Sequence, residues 1–123
     1  MATFKRFEDI QAWQKARQVT KIIYEITSNK SFARDFGLCS QIQRASVSIM
    51  ANIAEGFGRH SDKEFANFLH IAHGSTAETQ SHLYIALDLQ LIDQATFKKL
   101  YDLLDEISRM TLSLANHLRN QQP

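Results

Sequence analysis

The histidines and carboxylates of the chain are the residues whose spacing could support metal chemistry. His70 and His73 stand three residues apart, and Glu78 and His82 stand four apart, so each pair shares a helix face. At about 100° per residue, however, the two pairs lie roughly 150° apart around one helix and cannot converge on one ion. A di-iron bundle needs two Glu-x-x-His motifs, and the sequence contains none. We therefore expect no metal site and no cofactor.

Arg109 and His117 are the two residues of the sequence that most resemble the arginine–histidine pair of a nuclease. Some four-helix nucleases place four to six residues between the arginine and the histidine on a core-facing helix, whereas seven separate them here. The pair is also expected on the polar side of its helix. Neither a Ser-His-Asp set nor a phosphate-cradling glycine loop is present in the sequence. The sequence therefore predicts no catalytic residues, and a cryptic ribonuclease is the third alternative.

Four basic side chains are candidates for nucleic-acid contact: Lys15, Arg17, Lys21 and Arg59. Arg17 and Lys21 share the solvent face of the first predicted helix, with Lys15 on its flank. Glu25 interrupts that face, so a solvated helix surface is the competing interpretation. Nothing in the chain resembles a module that reads bases. Any binding of RNA or DNA would therefore be directed at the phosphate backbone and would weaken with salt.

A narrow polar ladder runs through the apolar stretch around residue 50. Its members, at three- and four-residue steps, are Arg44, Ser48, Asn52, Glu55 and Arg59. Glu55 precedes Arg59 by four residues, the favourable order for a helical ion pair. The ladder could line a pore or hold a phosphate. The interpretation that the sequence favours is a polar network that satisfies buried groups and fixes the packing register.

Composition limits the class of protein. The chain has 123 residues, 44% of them hydrophobic, one proline and a net charge of only +1. Residues 1–61 carry nine Lys and Arg against five Asp and Glu, whereas residues 62–123 carry five against eight. No run reaches the roughly 18 apolar residues that span a bilayer, and no apolar signal core follows Met1. With Cys39 as the only cysteine, a cytoplasmic protein without membrane contact is expected.

Apolar periodicity predicts four helices within one domain covering residues 1–123. Their expected ranges are about 7–27, 37–57, 62–89 and 94–119. Long helices joined by short loops favour antiparallel neighbours. The sequence therefore predicts an all-α fold, an antiparallel up-down-up-down four-helix bundle.

Residues at the helix ends indicate how the helices are joined. Asn29 is expected to end the first helix in the left-handed conformation, and Gly58 to cap the second. Ser61 and Glu64 form a capping-box pattern for the third helix. Asp93 is the expected N-cap of the fourth.

The second predicted helix is apolar or small over roughly two thirds of its circumference, far more than a surface helix requires. Its small residues Gly56, Ala45, Ala51 and Ala54 would let other backbones approach closely. Such a helix is either central to a bundle or half of a subunit interface.

Several ordered patches of the chain resemble the bacterial 23S rRNA intervening-sequence proteins. They are Phe7–Trp13 (FEDIQAW), Gln43–Ile49 (QRASVSI), Ala51–Gly56 (ANIAEG), Gly58–Arg59, and the positions Phe65, Phe68–Leu69, Ile71–Ala72, Gly74–Ser75 and Ala77–Glu78. The resemblance covers nearly the whole chain. Met50 departs from the family pattern, which commonly has proline there.

The resemblance implies a four-helix bundle that assembles into a homopentameric ring. A related group serves as the accessory protein of diversity-generating retroelements, where a basic pentamer contacts nucleic acid and a reverse transcriptase. We therefore expect a non-enzymatic, self-assembling scaffold or adaptor whose partners are other copies of itself and RNA or DNA. Scaffolding of an unknown protein partner without nucleic acid is the alternative. A ring requires two different surface patches that meet between neighbours.

Overall fold

The computed structural model describes residues 4–120, and these residues form helices and no strands. A short 3₁₀ helix at Phe7–Asp9 precedes five α-helices: α1 (Gln11–Thr27), α2 (Lys30–Ala33), α3 (Phe36–Gly58), α4 (Asp62–Asp88) and α5 (Gln94–Asn120). The four long helices are α1, α3, α4 and α5. α1 packs on α3 and α5, and α4 packs on the same two helices from the opposite side. The predicted all-α four-helix bundle is confirmed; residues 1–3 and 121–123 of the predicted domain lie outside the described range.

Contacts between the helices show that neighbours are antiparallel. Ser48 of α3 bonds to Ser75 of α4, while Gly56, further along α3, lies against Phe68, which comes earlier in α4. In the pairs α1 with α3, α4 with α5, and α1 with α5, later residues of one helix likewise contact earlier residues of the other. The up-down-up-down arrangement follows from this pairing.

The core is built from the apolar stripes that the periodicity of the sequence predicts. Ile23 of α1, Ile49 of α3, Leu83 of α4 and Leu104 of α5 are all completely buried in one cluster. Each such side chain stabilises the fold by about 1.5–3 kcal/mol relative to exposure. Among residues 4–120, no helix combines the length and apolar character that crossing a bilayer requires.

The first predicted helix, 7–27, is interrupted at Ile10. This residue has extended backbone angles (φ −78°, ψ 118°), so the 3₁₀ helix ends before α1 begins at Gln11. The carboxylate of Asp9 accepts hydrogen bonds from the backbone N–H groups of Lys5 and Arg6 and closes the 3₁₀ turn upon itself. The other long helices begin and end within one residue of their predicted bounds.

The prediction that Asn29 adopts a left-handed conformation is wrong. Asn29 has φ −62° and caps the short helix α2, its side-chain oxygen accepting from the N–H of Ser31 at 3.0 Å. Asparagine is common both as an N-cap and as a left-handed residue after a helix, so its identity alone does not decide between the two conformations. α2 buries Phe32 completely, which closes this end of the core.

The prediction that Gly58 is the C-cap is also wrong. Gly58 lies in the last turn of α3, and the left-handed residue is His60 (φ 57°). Ser61 then caps α4 as predicted, its hydroxyl accepting from the N–H of Glu64 at 3.3 Å. The carboxylate of Glu64 is directed toward Arg59, 3.6 Å away, so the second bond of the predicted capping box is replaced by an ion pair.

Asp93 caps α5 as predicted. Its Oδ1 atom accepts from the N–H of Thr96 at 2.7 Å. Hydrogen bonding by the side chain of Thr96, together with this backbone bond, favours the ionised form and holds the pKa of Asp93 below its ordinary value. Gln90, in the link before it, takes the left-handed conformation (φ 59°) that ends α4.

Candidate functional site

The central part of the polar ladder joins two helices inside the bundle. The hydroxyl groups of Ser48 and Ser75 lie 2.9 Å apart between α3 and α4. The amide of Asn52 donates to the backbone oxygen of Ser48 at 2.8 Å and to its hydroxyl at 3.0 Å. Ser48 and Asn52 are half-buried, and their polar groups satisfy one another. This part of the ladder therefore fixes the register between α3 and α4.

Glu55 and Arg59 form the end of the ladder and a separate cluster at the α3–α4 turn. The Nη2 atom of Arg59 lies 2.7 Å from the Oε2 atom of Glu55, and its guanidinium group lies 5.0 Å from the centre of the Phe68 ring. The hydrogen bond to Glu55 raises the pKa of Arg59 above its ordinary value. Together with the Glu64 contact, these interactions engage Arg59 on three sides. Arg44, at the other end of the ladder, is exposed and forms no ion pair within residues 4–120.

The four candidate nucleic-acid residues do not form one surface. Lys15 is paired with Glu106 of α5, its Nζ atom 3.2 Å from the carboxylate. Arg59 belongs to the cluster at the α3–α4 turn. Only Arg17 and Lys21 remain together, exposed on α1 in a shallow groove of about 370 Å³. The guanidinium group of Arg17 lies 5.9 Å from the centre of the Trp13 ring, which adds a stacking surface to this basic pair.

The outer faces of α3 and α4 carry apolar side chains that the bundle leaves uncovered. On α4, Ile71 is 52% exposed and Ile85 is 44% exposed. On α3, Val47 is 39% exposed and Ala51 is exposed beside it on the next turn. The sequence predicted the unusually apolar surface of α3, but the exposed apolar face of α4 was not predicted. The signal was present in the spacing of Ile71 and Ile85, which fall on the side of α4 opposite its core stripe.

The small residues of α3 divide between the two sides of that helix. Gly56 and Ala45, predicted to admit other backbones, are buried inside the bundle. A Cβ atom on Gly56 would lie 2.6 Å from the Cβ atom of Phe68, so this glycine permits the close contact of α3 with α4. Ala51 is exposed and Ala54 half-buried, and these two remain available to the outer face.

The basic and acidic halves of the sequence fold into different helices of the bundle. The basic first half of the described chain, residues 4–61, contains α1, α2 and α3, and the acidic second half, residues 62–120, contains α4 and α5. Within residues 4–120, two ion pairs join the halves, Lys15 with Glu106 and Arg59 with Glu64. Most of the excess charge of each half therefore faces solvent.

The histidines occupy different environments. The Nδ1 atom of His73 lies 3.0 Å from the backbone oxygen and 3.1 Å from the hydroxyl oxygen of Ser108 on α5, so this histidine joins α4 to α5. His82 lies 3.5 Å from Glu78, but both of its ring nitrogens are buried without a hydrogen-bond partner among the described residues. Across residues 4–120, no three His, Cys, Asp or Glu side chains come close enough to hold a metal ion.

Arg109 and His117 line one groove between α1 and α5. The groove has a volume of about 670 Å³ and also includes Ser113, which lies midway between them on the same strip of α5. Sequence reasoning considered the two end residues only as a nuclease pair. The four-residue spacing of all three was the available signal for a shared groove wall.

Comparisons with known proteins agree with this architecture. Residues 8–113 match the family described as 23S rRNA-intervening sequence protein. The fold also resembles the crystal structure of a protein with unknown function from the S23 ribosomal protein family of Bacteroides thetaiotaomicron. The TM-score is 0.77 and the identity 25%, over 85% of this chain and 97% of that one. No curated protein matches the chain in sequence. The family match covers most of the chain, and the resemblance seen in its motifs is confirmed: the chain belongs to the 23S rRNA-intervening sequence protein family.

Proposed function

We propose that the protein is a non-enzymatic scaffold that assembles with copies of itself through the outer faces of α3 and α4. The observation that carries this proposal is Gly74, an exposed glycine in the middle of the 27-residue helix α4. A Cβ atom added to Gly74 would meet nothing within 4 Å. A glycine inside a helix costs about 1 kcal/mol relative to alanine. Since no contact within the described chain requires it, close approach by another backbone accounts for it.

The side chains around Gly74 suit such an approach. Ile71 is one turn away on the same helix and more than half exposed, and Ile85 continues the apolar character along α4. Val47 and Ala51 supply apolar area on α3. Exposed aliphatic side chains next to small residues are typical of surfaces that bury against a partner.

The charge asymmetry supports a ring rather than a symmetric pair. In a ring each subunit presents one patch to the neighbour on one side and a different patch to the neighbour on the other. The basic α3 side of one copy could meet the acidic α4 side of the next. The resemblance to pentameric members of the family supports five copies.

Light scattering coupled to size-exclusion chromatography tests the assembly. The 14.1 kDa chain should elute as an oligomer with about five times that mass. Ile71→Asp places a charge on the proposed interface and should yield monomers. Tyr24→Asp is the control, because Tyr24 is 48% exposed on α1, a helix outside the proposed interface. A monomeric wild-type protein, or equal effects of the two substitutions, would overturn the proposal.

Nucleic-acid contact through Arg17 and Lys21 is the second part of the proposal. These two side chains are exposed, and Trp13 lies beside Arg17 with a ring on which a base could stack. One copy offers a small patch, but a ring would repeat it and strengthen binding by avidity. Contact would be made to phosphates, because two flexible cations carry no base-specific geometry.

Fluorescence anisotropy of labelled structured RNA and duplex DNA, at about 50 and 200 mM salt, tests this contact. Arg17→Glu with Lys21→Glu should abolish salt-sensitive binding. The control is Lys30→Glu with Arg34→Glu, which changes the net charge equally at the two ends of α2. If the wild-type protein does not bind at low salt, or both double variants bind equally, the protein is a scaffold for other proteins without this contact.

A further inference from the structure

We propose that the groove between α1 and the C-terminal half of α5 binds a small amphipathic anion. Arg109 would hold the anionic group, and Met110 and Leu114 would contact the apolar part. This site is independent of the assembly proposed above, which uses the outer faces of α3 and α4.

The shape and floor of the groove suit an organic ligand. Its volume of about 670 Å³ lies within the range of small-molecule sites. Ile10 and Ala12 are buried beneath it, and Met110 and Leu114 are half-buried along it. A ligand with an apolar body would cover surface that is otherwise in contact with water.

The polar wall of the groove is a strip on α5. Arg109, Ser113 and His117 stand four residues apart, which is about 6 Å per step along the helix. All three are exposed, and within residues 4–120 none of their side chains forms a hydrogen bond or an ion pair. Arg109 carries a permanent positive charge, and Ser113 can donate a hydrogen bond beside it. The wall therefore offers unpartnered donors to an anionic group.

Among the described residues that line the groove, Asp9 is the one that is acidic. Its Oδ2 atom accepts from the backbone N–H groups of Lys5 and Arg6, at 3.2 and 3.3 Å. These bonds hold the carboxylate in place, but its charge still opposes an anion in the groove. Removal of this charge should strengthen binding, whereas removal of the Arg109 charge should weaken it. The opposite signs distinguish an anion from a neutral or cationic ligand.

Two fluorescent probes test the site on the full-length protein. The first, 8-anilinonaphthalene-1-sulfonate, is an aromatic anion, and N-phenyl-1-naphthylamine is its uncharged counterpart. Arg109→Gln should weaken binding of the anion by about tenfold, the effect of losing one charge-assisted contact, and leave the uncharged probe unchanged. Asp9→Asn should strengthen binding of the anion. Arg34→Gln, which removes an equal charge directly after α2, should alter neither probe.

Ser113→Trp separates this groove from the exposed apolar face of α3 and α4. The indole would fill the groove from an exposed position on α5, so binding of both probes should be lost. Circular dichroism melting of each variant verifies that the bundle remains folded. Binding of the anion that is unchanged by Arg109→Gln, or binding of both probes that survives Ser113→Trp, would overturn the proposal.

Discussion

Gly56 of α3 and Phe68 of α4 are in such close contact that a Cβ atom on the glycine would lie 2.6 Å from the Cβ atom of the phenylalanine. The ring of Phe65 would lie 3.1 Å from the same position. The atom of Phe68 that would clash is its Cβ atom, which is attached directly to the α4 backbone, so rotation of the side chain cannot relieve the contact. The contact sets how closely α3 and α4 approach near the turn that joins them.

We therefore expect Gly56→Ala to lower the free energy of unfolding by about 1–3 kcal/mol, the cost of overpacking a core. Urea denaturation followed by circular dichroism measures it. Gly58→Ala is the matched control two residues away, where an added Cβ atom meets nothing within 4 Å. Equal unfolding midpoints for the two variants would contradict the prediction.

Gly74 should respond in the opposite way to Gly56. Gly74→Ala is expected to raise the stability of the isolated chain by about 0.5–1 kcal/mol, because alanine favours the helix and has open space here. Gly74→Leu should preserve the helix but shift sedimentation velocity profiles toward the monomer by blocking the proposed close approach. A leucine variant that assembles as the wild type does would exclude Gly74 from the interface.

Replacement of His73 and of His82, both on α4, by leucine should change the stability of the fold in opposite directions. His82→Leu is expected to stabilise the fold by about 1–2 kcal/mol, since it removes buried ring nitrogens that lack a partner among the described residues. His73→Leu should destabilise it by about 1 kcal/mol, because the bond to Ser108 is lost. Chemical denaturation of both variants provides the comparison, and a reversed order would refute it.

Asp93 should make the start of α5 sensitive to acid. Its folded-state pKa is lowered by the hydrogen bond from Thr96, so the ionised carboxylate stabilises the fold above the ordinary aspartate pKa of about 3.9. That contribution is lost as pH falls through the lower folded-state value. Asp93→Asn keeps an acceptor but has no charge. The wild type should melt at a higher temperature than the variant at pH 7, and this difference should disappear in acid. A difference that does not change with pH would contradict the prediction.

The protein is expected to leave RNA intact. Labelled RNA incubated with wild type and with His117→Ala should give the same low background of cleavage, because Arg109 and His117 are exposed and seven residues separate them on α5. Cleavage that disappears in His117→Ala would support the ribonuclease alternative.

Local sequence preference was sufficient for the helices themselves. The recurrence of residues such as Ile49 and Leu83 places each core stripe, because a helix with one apolar face has one favourable way to bury it. It was insufficient at the helix ends. Asn29 and Gly58 both favour a left-handed cap, yet Asn29 caps the start of α2 and His60 takes the left-handed conformation after α3. At both places the path of the chain into the next helix outweighs a small local preference.

The sequence by itself determined the four helices, their order and the family. The tertiary structure alone decided what each polar side chain does. Ser48 has its partner Ser75 only because α4 packs in one register against α3, and Lys15 is neutralised by Glu106 only because α5 returns beside α1. Periodicity reports the face of a helix on which a residue lies. The partner on the facing helix depends on how far the helices slide along one another, and packing across the whole core sets that distance.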